Sequence, residues 1–387
     1  MPISSDILVV GAGLGGAMAA AVLSRAGLEV TVVDRHATYP HDFRAEQLVG
    51  PQIDVLRELG LLDGIVRDTV PVPSATAAGH GKVIDSNSHV HYGLRYEDMV
   101  NATRSLAATA TFVTGRVTRI ETGAEEQKVS LADGTILRAR LVVVATGLNC
   151  DGLLRPLGIE RTMLSANHSL TFGFDLETAS RGIFTYYGER AGDGIDYLTV
   201  FPFGATMRAN LFCYRDPADA WAKSFRLRPK QALLEVMPRL PECLGAFEVA
   251  GKVQARFNPI RRAENTRQAG LVLIGDAYQS SCPAVGSGVG RILCDVATLS
   301  RLMPSWLATP GMDVDKIGQF YADPVKCQVD AQAIHNARHR RELRLNTGWQ
   351  WRARRSLRFQ ARRTRSWLHD LARVLWPSGA VRGAPTA

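Results

Sequence analysis

The sequence predicts an α/β fold: a parallel-stranded domain of discontinuous sequence, an inserted antiparallel β-sheet and a helical C-terminal tail. Three observations carry this reading. An apolar run, Ile7-Leu8-Val9-Val10, breaks into Gly11-Ala12-Gly13-Leu14-Gly15-Gly16 and then into small and apolar residues from Ala17 to Leu23. Some 260 residues later Leu271-Val272-Leu273-Ile274 ends in Gly275-Asp276 and leads to Pro283-Ala284-Val285-Gly286-Ser287-Gly288. Between them lie four β-branched and aromatic segments separated by turns, 168–174, 182–187, 196–201 and 209–214, which read as antiparallel strands.

The first element is a strand, turn and helix with a physical purpose for each glycine. Gly11 and Gly13 let the chain turn tightly and let backbone amides approach an anion, while Gly16 lets the helix pack closely on the strand. Leu14 and Gly15 open the helix, whose N-terminus faces that anion. Leu28 to Val33 is the second strand, and it ends in Asp34, where a carboxylate would hold ribose hydroxyls. The order strand, turn, helix, strand, acid is Rossmann-like and points to a dinucleotide. Leu131-Ala132-Asp133-Gly134-Thr135 then predicts a hairpin leading into the buried strand Leu141 to Val144, which ends in Ala145-Thr146-Gly147.

With both glycine segments in place, residues 3 to about 302 resemble the FAD-dependent monooxygenases of the para-hydroxybenzoate hydroxylase type. The resemblance implies that Gly275 and Asp276 contact the ribityl chain of FAD. It implies too that Pro283, Gly286, Ser287 and Gly288 cover the pyrimidine edge of the isoalloxazine, with Asp295 in the helix that follows. Amides at that helix start would stabilise negative charge on reduced flavin. Arg44 falls where the family places an arginine near the FAD and the nicotinamide path, and Arg95 at the return from the substrate domain. We assign Arg35, beside Asp34, and Val117 to the same cofactor set. One departure is Thr146, where the hydroxylases usually carry an Asp that helps organise the flavin phosphates and the reduced nicotinamide.

The resemblance divides the chain into an FAD-binding domain (1–75, 96–164 and 264–305), a β-sheet substrate domain (76–95 and 165–263) and a helical, Arg-rich segment (306–387). The sheet would roof the substrate pocket, with Tyr186, Tyr197, Phe203 and Phe212 as candidate lining residues and a bend at Pro202 and Gly204. No second strand-linked Gly-x-Gly-x-x-Gly occurs, so NADPH or NADH would visit only transiently as electron donor. The implied reaction inserts one atom of O2, through a flavin C(4a)-hydroperoxide, into an aromatic or unsaturated hydrophobic small molecule. It names no catalytic acid or base, because the cofactor carries the chemistry. An alternative is an FAD-dependent reductase of the geranylgeranyl-reductase type acting on a membrane lipid. Trp349-Gln350-Trp351 resembles a halogenase motif but lies in the tail without the following Ile-Pro.

Composition frames these expectations. At 387 residues with 46% hydrophobic content, the chain can bury one or two cores. Its N-terminus enters a strand without a charged or apolar leader, and no apolar run reaches the ~20 residues that span a bilayer. The six scattered cysteines read as free thiols of a reducing cytoplasm, with no metal site. Thirteen arginines between Arg338 and Arg382 face only Glu342 and Asp370, in a chain whose net charge is +9, so the basicity is concentrated in the tail. On a helical wheel Leu357, Ala361, Leu368, Leu371 and Leu375 oppose Arg355, Arg358, Arg362, Arg365 and Arg373. Such a helix suits an anionic membrane surface, or docking on the enzyme itself, equally well. Nucleic acid is not expected, because no recognised fold accompanies the charge.

Overall fold

The computed structural model describes residues 3–203, 206–357, 360 and 364. Gly204 and most of the predicted basic helix, Trp367 and Leu368 to Leu375 included, lie outside the described residues.

The first sheet grows from Ile3–Val10, which pairs in parallel with Val30–Asp34 on one side and Ile136–Val144 on the other. Thr111–Thr114 extends the first side, and Leu271–Leu273 lies beside Val142 to Val144. Residues 7–10 and 141–144 are buried because helices cover the sheet, which is why they read as unbroken apolar runs rather than alternating ones. The predicted hairpin forms, with Gln127–Leu131 antiparallel to the start of Ile136–Val144. The strand ends Val10, Val33, Val144 and Leu273 sit side by side in register, so the loops that follow them emerge at one edge.

The second sheet has seven strands, and of its six neighbouring pairs five are antiparallel and one, Ile183–Tyr187 with Ala75–Gly79, is parallel. Ile183–Tyr187, Ile195–Phe203 and Thr206–Cys213 carry three of the predicted segments. The fourth belongs to Arg161–Thr178, an 18-residue strand that pairs with Phe247–Ala263 through three register shifts. These two long strands form one edge of the second sheet. The helices Ala220–Leu227 and Pro229–Val236 cap the far face, where Phe225 tilts against Phe172 and Phe174.

Three helices close the structure: Gly288–Leu307 against Leu14–Arg25, then Val314–Tyr321 and Pro324–Leu345. The last reaches across to the second sheet, where Arg340 and Arg344 both donate to the buried Asp196. At least these two of the thirteen tail arginines therefore serve the fold.

Candidate active site

The glycine turn after Ile3–Val10 is shaped as its sequence requires. Gly11 has φ +95°, and a Cβ there would stand 2.9 Å from the carbonyl oxygen of Ala145. At Gly16 a Cβ would come within 1.8 Å of the Gly11 carbonyl oxygen, so the helix can lie this close to the strand only without a side chain. Gly13 is different, since nothing of the protein lies within 4 Å of a Cβ built there. It borders open space at the start of Leu14–Arg25, a helix with no side-chain cap and no acidic residue in its first turn. The free amides at that terminus face the cleft with their positive end of the helix dipole uncompensated.

A cleft of about 460 Å³ begins here and is bordered by Gly11, Gly13, Leu14 and Gly15. Asp34, Arg35 and Val117 border it too, as do Gly275 and Asp276. Asp34 accepts from the backbone N–H of Ala12 at 2.7 Å and of His36 at 2.9 Å, which fixes its carboxylate at the rim. Arg104, not singled out by sequence, anchors the same turn by donating to the Ala12 carbonyl at 2.7 Å. Two hydroxyls, Thr146 Oγ1 on the cleft wall and Ser287 Oγ in the downstream loop, are buried with no hydrogen-bond partner in the protein. Buried polar atoms without partners call for a ligand or water.

The Gly275-Asp276 turn is held from below. Asp295 Oδ2 accepts from the Gly275 N–H at 2.7 Å, and Oδ1 accepts from Lys326 Nζ at 2.6 Å. Lys326 also reaches Asp330, which binds Arg291, so two cations and two carboxylates share one buried site. Gly275 itself has φ +58°, the left-handed conformation that favours glycine. Burial raises the Asp276 carboxyl above its ordinary range, against the pull of Arg291, Arg256 and Arg44.

Beyond Asp276 and Ile292 the cleft continues into a chamber of about 170 Å³, whose borders include Leu14, Arg44, Tyr96, Leu148, Arg256, Asp276 and Ile292 in common with it. Pro283, Gly286 and Gly288 form one wall, and Thr171, Asn210, Phe212 and Asn258 of the second sheet form the roof. Arg44 lies 3.6 Å over the Tyr96 ring, donates to Tyr39 Oη, and pairs with Asp42. Burial would lift the Asp42 carboxyl, but its bond to Arg44 outweighs that and holds it below the usual range. Glu46 lines the same chamber; burial pushes its carboxyl up to about 7, with Arg44 opposing.

Most of the residues assigned from sequence therefore converge on one channel, with a few elsewhere. Gly16 serves packing, and Ser287 stands at the start of the next helix without lining either cavity, its hydroxyl making no cap bond. Arg95 does not reach the channel: its side chain is half exposed, stacked on Phe203 and 4.0 Å from Asp98. Among the roof aromatics only Phe212 borders the chamber. Tyr186 points to the opposite face, into the core under the capping helices, and donates to Glu189. Tyr197 stacks behind Phe212 at 4.7 Å and donates to the Ala284 carbonyl, so it supports the loop from the rear. Phe203 sits at the strand's far end between Arg95 and Arg208. Conversely, Glu46, Tyr96, Arg256 and Asn258 border the chamber unassigned from sequence: Glu46 and Tyr96 lie beside Arg44 and Arg95, which alone were singled out there, and Arg256 and Asn258 belong to a strand with no motif.

This geometry fits FAD by three tests: open space reserved at Gly13, an uncapped helix terminus, and the orphaned Thr146 hydroxyl on the wall of an extended cleft. A match to the FAD binding domain family covers residues 4–308. The chain belongs to that family. It is an FAD-dependent oxidoreductase. Among its relatives is the 6-hydroxynicotinate 3-monooxygenase of Bordetella bronchiseptica, 24% identical over 76% of this chain and 82% of the relative. Digeranylgeranylglycerophospholipid reductase 1 of Methanococcoides burtonii is 27% identical over 74% of this chain and 71% of that protein. The crystal structure of the p-nitrophenol 4-monooxygenase of Pseudomonas putida superposes with a TM-score of 0.75 at 18% identity, covering 96% of this chain and 98% of the other.

Proposed function

We propose that this enzyme is a single-component monooxygenase that inserts one atom of O2 into a small aromatic or otherwise unsaturated substrate, with NADPH or NADH as transient donor. The observation that supports it is the chamber between the Pro283–Gly288 loop and the second sheet, continuous with the dinucleotide cleft at Asp276. Gly11, Gly13 and the start of Leu14–Arg25 would hold the pyrophosphate, Asp34 the ribose, and Asp276 the ribityl chain. When bound, FAD supplies the redox equivalents and the activation of oxygen.

The chain's own part is to position, enclose and move protons. Phe43, Phe212, Pro259 and Val289 offer flat apolar surface to a ring, whereas Asn210, Asn258, Glu46 and Arg256 offer polar groups to its substituents. The substrate that fits is a ring compound with polar substituents, more polar than the hydrophobic compound the resemblance implies. Glu46, with its carboxyl near neutrality, is placed to take or return a proton at a substrate hydroxyl. Amides at the start of Gly288–Leu307, a helix without acidic residues in its first turn, stabilise negative charge beside the loop.

The test is anaerobic reduction of the holoenzyme by NADPH or NADH, then turnover of hydroxylated and carboxylated aromatic compounds under ¹⁸O₂. One ¹⁸O atom in the product is expected. Hydrogenated product without label would instead favour the reductase reading that the digeranylgeranylglycerophospholipid reductase likeness raises. No described helix is long and apolar enough to cross a membrane. Peripheral attachment through the basic tail is our further reading, and deletion of residues 358–387 should abolish flotation with anionic liposomes.

A further inference from the structure

A second cavity, of about 530 Å³, lies apart from the flavin channel. It opens between the hairpin tip at Gly79 to Lys82, the turn after Ile183–Tyr187, and the C-terminal helix Pro324–Leu345. Tyr197 separates the two, packed on Phe212 on one side and 6.1 Å from the Tyr187 ring on the other.

Five permanent cations border this cavity, Lys82, Arg239, Arg340, Arg344 and Arg355, against two carboxylates, Glu189 and Asp196. The carboxylates are already engaged. Asp196 accepts from Arg340, Arg344 and Tyr214, and Glu189 accepts from Tyr186 and from the Arg239 backbone. Arg239 pairs with Glu242. Among the described residues no carboxylate lies within ion-pair distance of Lys82 or Arg355. Arg355 donates through Nη1 to the carbonyls of Leu343 and Asn346, but its Nη2 is buried without a partner. Burial, with Arg344 and Arg352 nearby, pushes its pKa down, as expected for a cation lacking an anion. Ile84, Leu343 and Tyr187 supply an apolar floor beside these charges.

We propose that this cavity binds an anionic amphiphile, a phosphate or carboxylate head held by Lys82 and Arg355 with its apolar body on Ile84, Leu343 and Tyr187. The proposal stands independently of the reaction in the flavin channel. The head chemistry is shared by a free acyl or aryl phosphate and by an acidic lipid.

The test uses the full-length, FAD-loaded enzyme and decyl phosphate below its aggregation concentration, followed by calorimetry. Saturable binding at one site per chain is expected, at least tenfold weaker in Lys82→Ala and in Arg355→Gln, with FAD content unchanged. Inorganic phosphate should bind at least tenfold more weakly than decyl phosphate, because it lacks the apolar body. Flotation with phosphatidylglycerol vesicles that is lost in the same variants assigns the head to a lipid; no flotation, or flotation that these variants leave unchanged because the tail carries it, assigns the head to a free metabolite. No binding of decyl phosphate, or binding that Lys82→Ala leaves unchanged, overturns the proposal. If Arg355→Gln loses FAD, Lys82→Ala decides alone, since its exposed side chain carries no part of the fold.

Discussion

Replacing Asp295 by Asn probes how the fold holds the flavin turn. Asp295 is 1% exposed, and its two oxygens bind Lys326 Nζ at 2.6 Å and the Gly275 N–H at 2.7 Å. Arg291, Lys326, Asp295 and Asp330 together are neutral, so loss of one carboxylate strands one positive charge in the interior. Breaking a buried pair in this way costs about 3–5 kcal/mol. Against a typical stability of about 5–15 kcal/mol this is a large fraction, and at about 1.4 kcal/mol per decade it lowers the folded ratio by roughly two to three and a half orders of magnitude. The Gly275 amide also exchanges a charged acceptor for a neutral one, a loss of about 1 kcal/mol, so FAD should bind roughly fivefold more weakly. Urea unfolding of the apoprotein measures the first effect and fluorescence titration with FAD the second. Asp295→Asn with Lys326→Met restores neutrality and should recover more than half of the lost stability. A single variant that loses less than about 1 kcal/mol, or a double variant no better than the single, would refute the argument.

Other expectations concern the cleft. Gly13→Ala should leave apoprotein unfolding unchanged but weaken FAD binding, since its Cβ meets only open space; Gly16→Ala, pressed against the Gly11 carbonyl, should unfold the apoprotein at lower temperature and purify without flavin. Asp34→Asn should weaken FAD about tenfold or more in the same titration, because an amide must turn one donor toward the Ala12 or His36 N–H. Glu46 has a folded pKa raised from its ordinary 4.5 to about 7, so its contribution to stability is present in full below pH 4.5 and is lost as pH rises to about 7. Glu46→Gln should flatten that part of the stability profile and shift the acidic limb of kcat/KM; a profile identical to that of the unaltered enzyme would exclude Glu46 from both roles.

Legibility in the sequence followed the range of the determining forces. Gly11, Gly13 and Gly16 were readable because strand, turn and helix are consecutive, and the missing side chains mark where backbone must approach backbone or anion. Gly275-Asp276 and the Pro283–Gly288 loop were readable for the same reason. The long strand Phe247–Ala263 escaped notice, since its exposed and half-buried residues show no clean alternation and its register breaks three times. Tyr186 illustrates a different limit. Its aromatic character was evident, but the face it takes depends on the parity of Ile183–Tyr187 within the assembled sheet, and that parity turns it into the core.

By itself the sequence determined the α/β fold and the dinucleotide cradle, written in local patterns of glycine and apolar residues, while the role of the Pro283–Gly288 loop was implied by resemblance. Only the tertiary structure decided the chamber and the charges around it. Glu46, Arg256, Asn258 and Phe212 meet there because the short ladder of Ala45–Leu48 packs against two strands of the second sheet, and no local pattern encodes such a meeting. The buried quartet beneath Gly275 and the docking of Arg340 and Arg344 on Asp196 are of the same kind. A charge can be buried only where a partner from elsewhere in the chain compensates it, and folding alone brings that partner into place.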